Sequence, residues 1–472
     1  MRHAFEEVFG MSCTDALEQR GEGRLAAGRR QRRVIIVTSH FPPSNLASVH
    51  RSRLFAQHLP EFGWNPVIVT VHHRYYEEAL DWDLDRLVPT DLRVERVGAL
   101  GTKPVRIVGD VGVRGFLPML RRILGLIDSE ETDFVLITVP SFFAAPLGRL
   151  VHALRGIPYG IDYQDPWVHV WPGSERPLTK AWMSKKLGEV LEPFSVRSAS
   201  LITGVSHGSF EGVLERNPYL KDRARTAAMP CGGERDDHVK SREGSVRPYL
   251  FGDEKVFRML YAGSMWDGAR EPLDRVFRAI AANRRLFAGV RFHFVGTGLS
   301  PTNPAPQIKP IAERYGIWGD LVLEHPKRIP YTHVLAHLEA ASGLFMFGSV
   351  MPHYTPSKLY QGVLAGKPIM AVLHEESTAC AILRETGAGR VLAFAGTAGL
   401  KTIEDTFANE FTAYRSGVSS FSPDSVRLDR FEQYSARGVS GLLAQALDDA
   451  VGNHRRSPAG REPLQASVSE HG

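Results

Sequence analysis

Cysteine is scarce. The chain has three in 472 residues, Cys13, Cys231 and Cys380, far apart and in no CxxC pair or Cys/His cluster. That excludes a disulfide framework and a cysteine-built zinc site and fits a reducing compartment. Long apolar runs are also lacking. The longest, Phe134 to Gly148, is cut by Pro140 and Pro146 and is too short to span a bilayer. The opening residues, MRHAFEEVFG, put acidic groups where a secretory leader needs positive charge and an apolar core. The expected location is therefore cytoplasmic, at most on the inner face of the cell membrane. No Lys/Arg block interleaves with aromatics, so no nucleic-acid partner is expected. Asp81-Trp82-Asp83 has the letters of a metal-binding Asp-x-Asp but sits in a long polar segment, and no metal or cofactor is expected. The first apolar run leads into FPPSNLAS and not GxGxxG, which argues against a nicotinamide dehydrogenase.

Hydrophobic residues make up 43% and charged residues 23%, the range of a globular protein. A chain of 472 residues is too long for one ordinary core, so two domains are expected. The net charge of +5 favours an anionic partner, such as a nucleotide diphosphate or an acidic lipid surface.

Short β-rich runs alternate with helical patterns. RVIIVTS (33–39), NPVIVTV (65–71), DFVLITV (133–139), PYGIDY (158–163) and SLITGVS (200–206) read as buried parallel strands. The pattern restarts with FRMLYAG (257–263), RFHFVGTG (291–298), LVLEH (321–325), SGLFMFGS (342–349), KPIMAVL (367–373) and GRVLAF (389–394). The fold class is therefore α/β, two Rossmann-like doubly wound domains facing a cleft. The expected division is a disordered extension over 1–31 and a first domain over 32–235. A polar linker over 236–254 leads to a second domain over 255–425. A helix over 426–451 packs back on the first domain, and 452–472 form a disordered tail.

The richest segment is PHYTPSKLYQGVLAGKP (352–368), which follows a strand. Thr355-Pro356-Ser357 reads as a helix start with Lys358 in its first turn. Free N–H groups and the helix dipole make such an end an anion site, and Lys358 adds charge for a diphosphate; the alternative is a merely exposed lysine. Asp165-Pro166 within IDYQDPW reads as a helix N-cap followed by proline at the first helical position. Residues 105–127, VRIVGDVGVRGFLPMLRRILGLI, have the composition of an interfacial helix on anionic lipid or of a core helix with a basic face.

Segment 352–368 resembles the donor site of the family-4 retaining glycosyltransferases, which have the two-domain GT-B fold. Aligned on Ala365-Gly366-Lys367-Pro368, the family's two glutamates fall on His353 and Gln361. The Pro-Ser-Lys start is similar to a branch that includes envelope polysaccharide and amino-sugar transferases. The resemblance runs from Arg33 to about Val451. It implies a nucleotide diphosphate sugar as donor and a glycan, lipid-linked in many members, as acceptor. The implied donor-binding residues are Ser264, Arg270, Gly296, Gly298, Arg328, His353, Ser357, Lys358 and Gln361. The implied acceptor-binding residues are Ser44, Asn45, Arg51, Arg53 and Asp162, with Trp167 as a sugar-stacking platform. For Arg51 and Arg53, plain surface placement is the alternative. Asp165 is the expected catalytic carboxylate. A non-catalytic nucleotide-sugar-binding scaffold and a sugar-nucleotide epimerase share the fold and stay open.

Overall fold

A computed structural model describes residues 30–102, 109–139, 141–168, 174–252, 255–300, 303–352 and 354–456. It contains two parallel sheets. The first holds β1 (Arg32–Val37), β2 (Trp64–Val71), β3 (Arg93–Val97), β4 (Phe134–Val139), β5 (Tyr159–Tyr163), β6 (Leu201–Gly204) and β7 (Arg225–Ala228), in the order β3-β2-β1-β4-β5-β6-β7. The second holds β8 (Phe257–Ala262), β9 (Val290–Val295), β10 (Val322–His325), β11 (Gly343–Phe347), β12 (Ile369–His374) and β13 (Gly389–Phe394), in the order β10-β9-β8-β11-β12-β13. Every pairing is parallel.

The central strands are apolar because both faces are covered. FVLITV of β4 and IMAVLH of β12 are buried at every position. The main helices of the first domain are α1 (Val49–His58), α2 (Phe116–Ser129), α3 (Pro146–Arg155) and α4 (Lys180–Val196). Next come α5 (Arg235–Glu243), then α6 (Arg270–Ala282), α7 (Tyr331–Ala340), α8 (Lys358–Leu364), α9 (Thr378–Thr386) and α10 (Leu400–Gly417) of the second domain. The last, α11 (Ala436–Arg456), lies on the first sheet: Val439, Leu443 and Leu447 join the core of Val34, Ile36 and Trp64. Asp448 fastens it, accepting from Trp64 Nε1 at 3.0 Å and from Arg32 at 2.7 Å.

Two expectations change here. The linker over 236–254 is not all irregular, because 235–243 form α5, capped by Glu234 and burying Asp237, His238 and Ser241. Of segment 105–127, residues 105–108 lie outside the described residues. Its helix α2 turns Met119, Ile123 and Leu126 into the first core, so its apolar face belongs to the domain interior.

The order of each sheet reverses once, at β1/β4 and at β8/β11. Ligands of such sheets bind beyond the carboxyl ends of the strands at that reversal. The two reversal points are where the domains meet.

Candidate active site in the interdomain cleft

A cavity of about 110 Å³ lies between the domains. From the first domain, Asn45 and His50 reach it through the β1–α1 loop and the start of α1. From the second come Ser264 after β8, Gly296 after β9, Arg328 before α7, and Ser357 and Lys358 at the start of α8. Asn45, Ser264, Gly296, Arg328, Ser357 and Lys358 are thus brought together from five separate segments.

The electrostatics of this cavity are lopsided. The Lys358 ammonium is pushed down to about 8, by burial first and by the Arg328 charge next. Its Nζ stands 5.3 Å from the Tyr331 ring centroid, and no ion pair joins it to a carboxylate among the described residues. Arg328 is also without an ion pair there; its Nη1 donates to the Asn45 carbonyl at 2.9 Å. Burial lowers Arg328 as well. Two desolvated cations therefore face one space, and the carboxylate in its lining, Asp81, forms an ion pair with neither among the described residues.

The same wall holds orphaned polar atoms. Asn45 Oδ1 and His50 Nδ1 are buried with no hydrogen-bond partner. His50 lies against Tyr331 with ring centroids 4.2 Å apart. Burial, then the charges of Lys358, Arg53 and Arg328, hold its imidazole well below the usual range, so it is neutral at pH 7. Sequence reasoning missed His50, which no motif marks. Gln361, one turn below Lys358, is buried and its Oε1 is likewise unpartnered. Buried polar atoms are nearly always satisfied, so Asn45 and His50, which line the cavity, mark where a ligand completes it. The set accepts an anion on Lys358 and Arg328 and hydroxyl groups on Asn45 and His50.

Several expected acceptor contacts are instead internal. Arg51 is buried and grips Asp162 through Nε at 2.6 Å and Nη2 at 2.8 Å. Its Nη1 donates to the carbonyls of Met229 and Pro230, and Thr203 donates to Asp162. Arg53, 0% exposed, donates to both Asp237 oxygens at 3.0 and 2.5 Å, and Tyr331 Oη donates to the same carboxylate. These pairs tie α1 to β5 and to α5; every carboxylate oxygen is used, and no acceptor reaches them. Surface placement of the arginines is equally overturned. Ser44 is buried and donates to Glu78. Trp167 is not a sugar platform: it is 4% exposed, stacked on Phe142 at 5.6 Å with ring planes 7° apart.

Two donor-side assignments also move. Arg270 pairs with Asp267 at 2.8 Å and with Gln307, away from the cavity. Gly298 is closed off, because a Cβ there would stand 2.4 Å from Pro304 Cβ; its smallness serves packing. Gly296 does sit at the cavity, at φ +74°, a conformation that favours glycine. His353 lies outside the described residues.

Asp165 follows β5 and is exposed. No helix starts at 166–168, and the next among the described residues begins at Lys180, capped by Thr179, so the helix-cap reading of Asp165 fails. Its charge helps to raise the Cys231 thiol and the Tyr354 phenol, both dominated by burial, the latter pushed up to about 12. Asp165 is therefore near enough to Tyr354 of the opposite domain for its charge to be felt there.

The cavity is tighter than the roughly 300–1,000 Å³ of small-molecule sites, so a large ligand requires the domains to part. A latch spans the seam. Asp81 of the first domain accepts from Tyr331 N at 2.6 Å, capping α7 of the second, and from Leu84 N at 3.1 Å. That is the structural use of the Asp81-Trp82-Asp83 segment.

Comparison with known proteins agrees with this architecture. Residues 48–232 match the family model described as a glycosyl transferase 4-like domain. No curated protein sequence matches the chain. Similar solved structures include a glycosyltransferase from Rickettsia africae, with a TM-score of 0.58 and 11% identity over 90% of this chain and 100% of that one. Anabaena HepE in complex with UDP-glucose gives 0.56 and 13% over 88% and 99%. A trehalose-6-phosphate synthase, OtsA, gives 0.59 and 11% over 90% and 99%. The chain therefore carries a glycosyl transferase 4-like domain at residues 48–232 and shares the two-domain GT-B fold of these structures.

Proposed function

We propose that this chain is a retaining glycosyltransferase. It takes a sugar from a nucleotide diphosphate donor held between the domains and passes it to a glycan acceptor, lipid-linked, in envelope or exopolysaccharide synthesis at the cytoplasmic face of the membrane. The observation that carries the reading is the pair of cations without ion-pair partners among the described residues, Lys358 and Arg328, converging on a cavity where Asn45 Oδ1 and His50 Nδ1 are buried without hydrogen-bond partners. A diphosphate satisfies the cations, and sugar or ribose hydroxyls satisfy Asn45 and His50. The UDP-glucose bound to Anabaena HepE supports a nucleotide sugar as the ligand class.

In the proposed reaction the bond from the sugar C1 to the donor phosphate oxygen breaks. The acceptor oxygen bonds to C1 from the same face, and its proton passes to the departing phosphate. Lys358 and Arg328 stabilise the charge that grows on that phosphate, the largest single term in such transfers. Lys358 at about 8 is charged at pH 7 and poised to gain from the anion. Asp165, across the seam, orients the acceptor hydroxyl.

A second reading has one specific support. Gln361, with its neutral and unpartnered amide oxygen, stands where the family resemblance implies a carboxylate, as expected of a binding scaffold that does not turn over. The test is a panel of nucleotide sugars offered with glycan and lipid-linked acceptors. Transfer with retained anomeric configuration supports the enzyme. Nucleotide-dependent stabilisation with neither transfer nor hydrolysis supports the scaffold.

A further inference from the structure

Helix α4 wears its apolar face outward. The residues it buries are Gly188, Glu192, Ser195 and Val196, and Glu192 is held inside by Arg216 at 2.8 Å to each carboxylate oxygen. The side chains it exposes include Met183, Leu187, Val190 and Phe194, at 43–70%. Their i, i+4, i+7, i+11 spacing keeps them within about 60° of arc on a helix. Leu178, just before the helix, is 84% exposed and sits at φ +64°, a conformation bulky residues rarely adopt. Helices of globular proteins do the reverse, and a contiguous apolar row on the surface marks an interaction site.

Charge names the occupant. Lys180 and Lys186 border the row about 60° to either side, and Arg197 closes its far end. Glu189 pairs with Lys186 at 2.7 Å and lies beyond it. A second copy of this chain would set these cations against their own kind. One helix of 17 residues also offers less than the roughly 800 Å² per partner of a stable interface. An anionic lipid surface takes both features at once, apolar side chains among the acyl chains and Lys/Arg among the headgroups. No helix among the described residues is long and apolar enough to cross a membrane.

We propose that α4 lies in the plane of an anionic membrane surface, with Leu178, Met183, Leu187, Val190 and Phe194 inserted. The helix rests on Trp167: a Cβ at Gly188 would stand 3.0 Å from Trp167 Nε1. Trp167 is two residues from Asp165, so docking holds the Asp165 loop where a lipid-linked acceptor displays its headgroup. That last step rests on the proposed glycosyl transfer; membrane docking itself does not.

The test is flotation of the full chain with vesicles of phosphatidylcholine, alone or mixed with phosphatidylglycerol. The protein should float with the mixed vesicles only and be released by high salt. The triple variant Leu187→Ser, Val190→Ser, Phe194→Ser should lose vesicle partition roughly tenfold or more, while its far-UV circular dichroism and cooperative thermal unfolding stay those of the wild type. The pair Lys180→Glu, Lys186→Glu, which touches no buried group, should lose binding as well. Wild-type protein that ignores anionic vesicles overturns the proposal. So does unchanged binding by either variant, or self-association that the triple variant abolishes in place of vesicle binding. None of these assays needs a donor or turnover, so failure here and failure of the transferase reading are told apart.

Discussion

Replacing Lys358 with Met should make the empty protein more stable and the donor complex weaker. The ammonium is displaced from 10.5 to about 8 by burial and by Arg328. At about 1.4 kcal/mol per pH unit, holding that charge costs the fold about 3 kcal/mol at pH 7; solvent screening of a half-buried group reduces the net to about 1–3 kcal/mol. The folded value lies below the unfolded one, so the cost is complete below about pH 8 and fades between 8 and 10.5. Met keeps the length and the apolar stem, so the packing on Tyr331 survives. The ligand-free variant should therefore melt a few degrees higher at pH 7, with the gap closing as pH rises toward 10. The lost charge-assisted contact is worth about 1.5–3 kcal/mol, a roughly 10- to 150-fold rise in Kd for a nucleotide diphosphate. Thermal unfolding across pH and titration calorimetry measure the two halves. A lower melting temperature with unchanged Kd would refute the reasoning, because Lys358 would then be serving the fold and not an anion.

Donor affinity in the wild type should be flat below about pH 8 and fall above it, up to tenfold per unit, because the bound anion raises the Lys358 value; a flat profile to pH 9.5 counts against the contact. Asp165→Asn should lower turnover by about 10²–10⁴ with little change in melting temperature, since Asp165 is exposed and caps no helix; normal specific activity removes it from the chemistry. Asp162→Asn should cost about 3–5 kcal/mol of stability by stranding the buried Arg51, with KM for acceptor unchanged in whatever folds. Asp81→Ala removes the cap across the seam, worth about 0.5–2 kcal/mol. X-ray scattering should show a larger radius without ligand, and an unchanged radius denies the latch.

The strands of both sheet centres were legible, because a parallel strand buried on two faces reads as an apolar run. The two missed strands, β3 and β7, are the edges of the first sheet. RVERV and RTAA are half-exposed and carry no such run. The convergence of Lys358 and Arg328 was legible in part, since each stands in a recognisable strand-end segment. Arg51, Arg53 and Asp162 were misjudged for a different reason. Their types suit a polar cleft, but their partners lie 111 and 184 residues away along the chain. Only the fold shows that these charges are already spent on one another. His50 escaped notice because its importance comes from a neutral ring stranded among cations, a property of three-dimensional surroundings. The outward apolar row of α4 reads in one dimension as an ordinary core stripe, and only burial reveals which way it points.

The most direct test of the central claim is product analysis by NMR after the full chain meets a nucleotide sugar panel and a lipid-linked glycan acceptor. The account predicts release of nucleotide diphosphate and a new glycosidic bond with the donor's anomeric configuration, lost in Lys358→Met. An inverted linkage, transfer undiminished in that variant, or tight nucleotide binding with no transfer at all would contradict it.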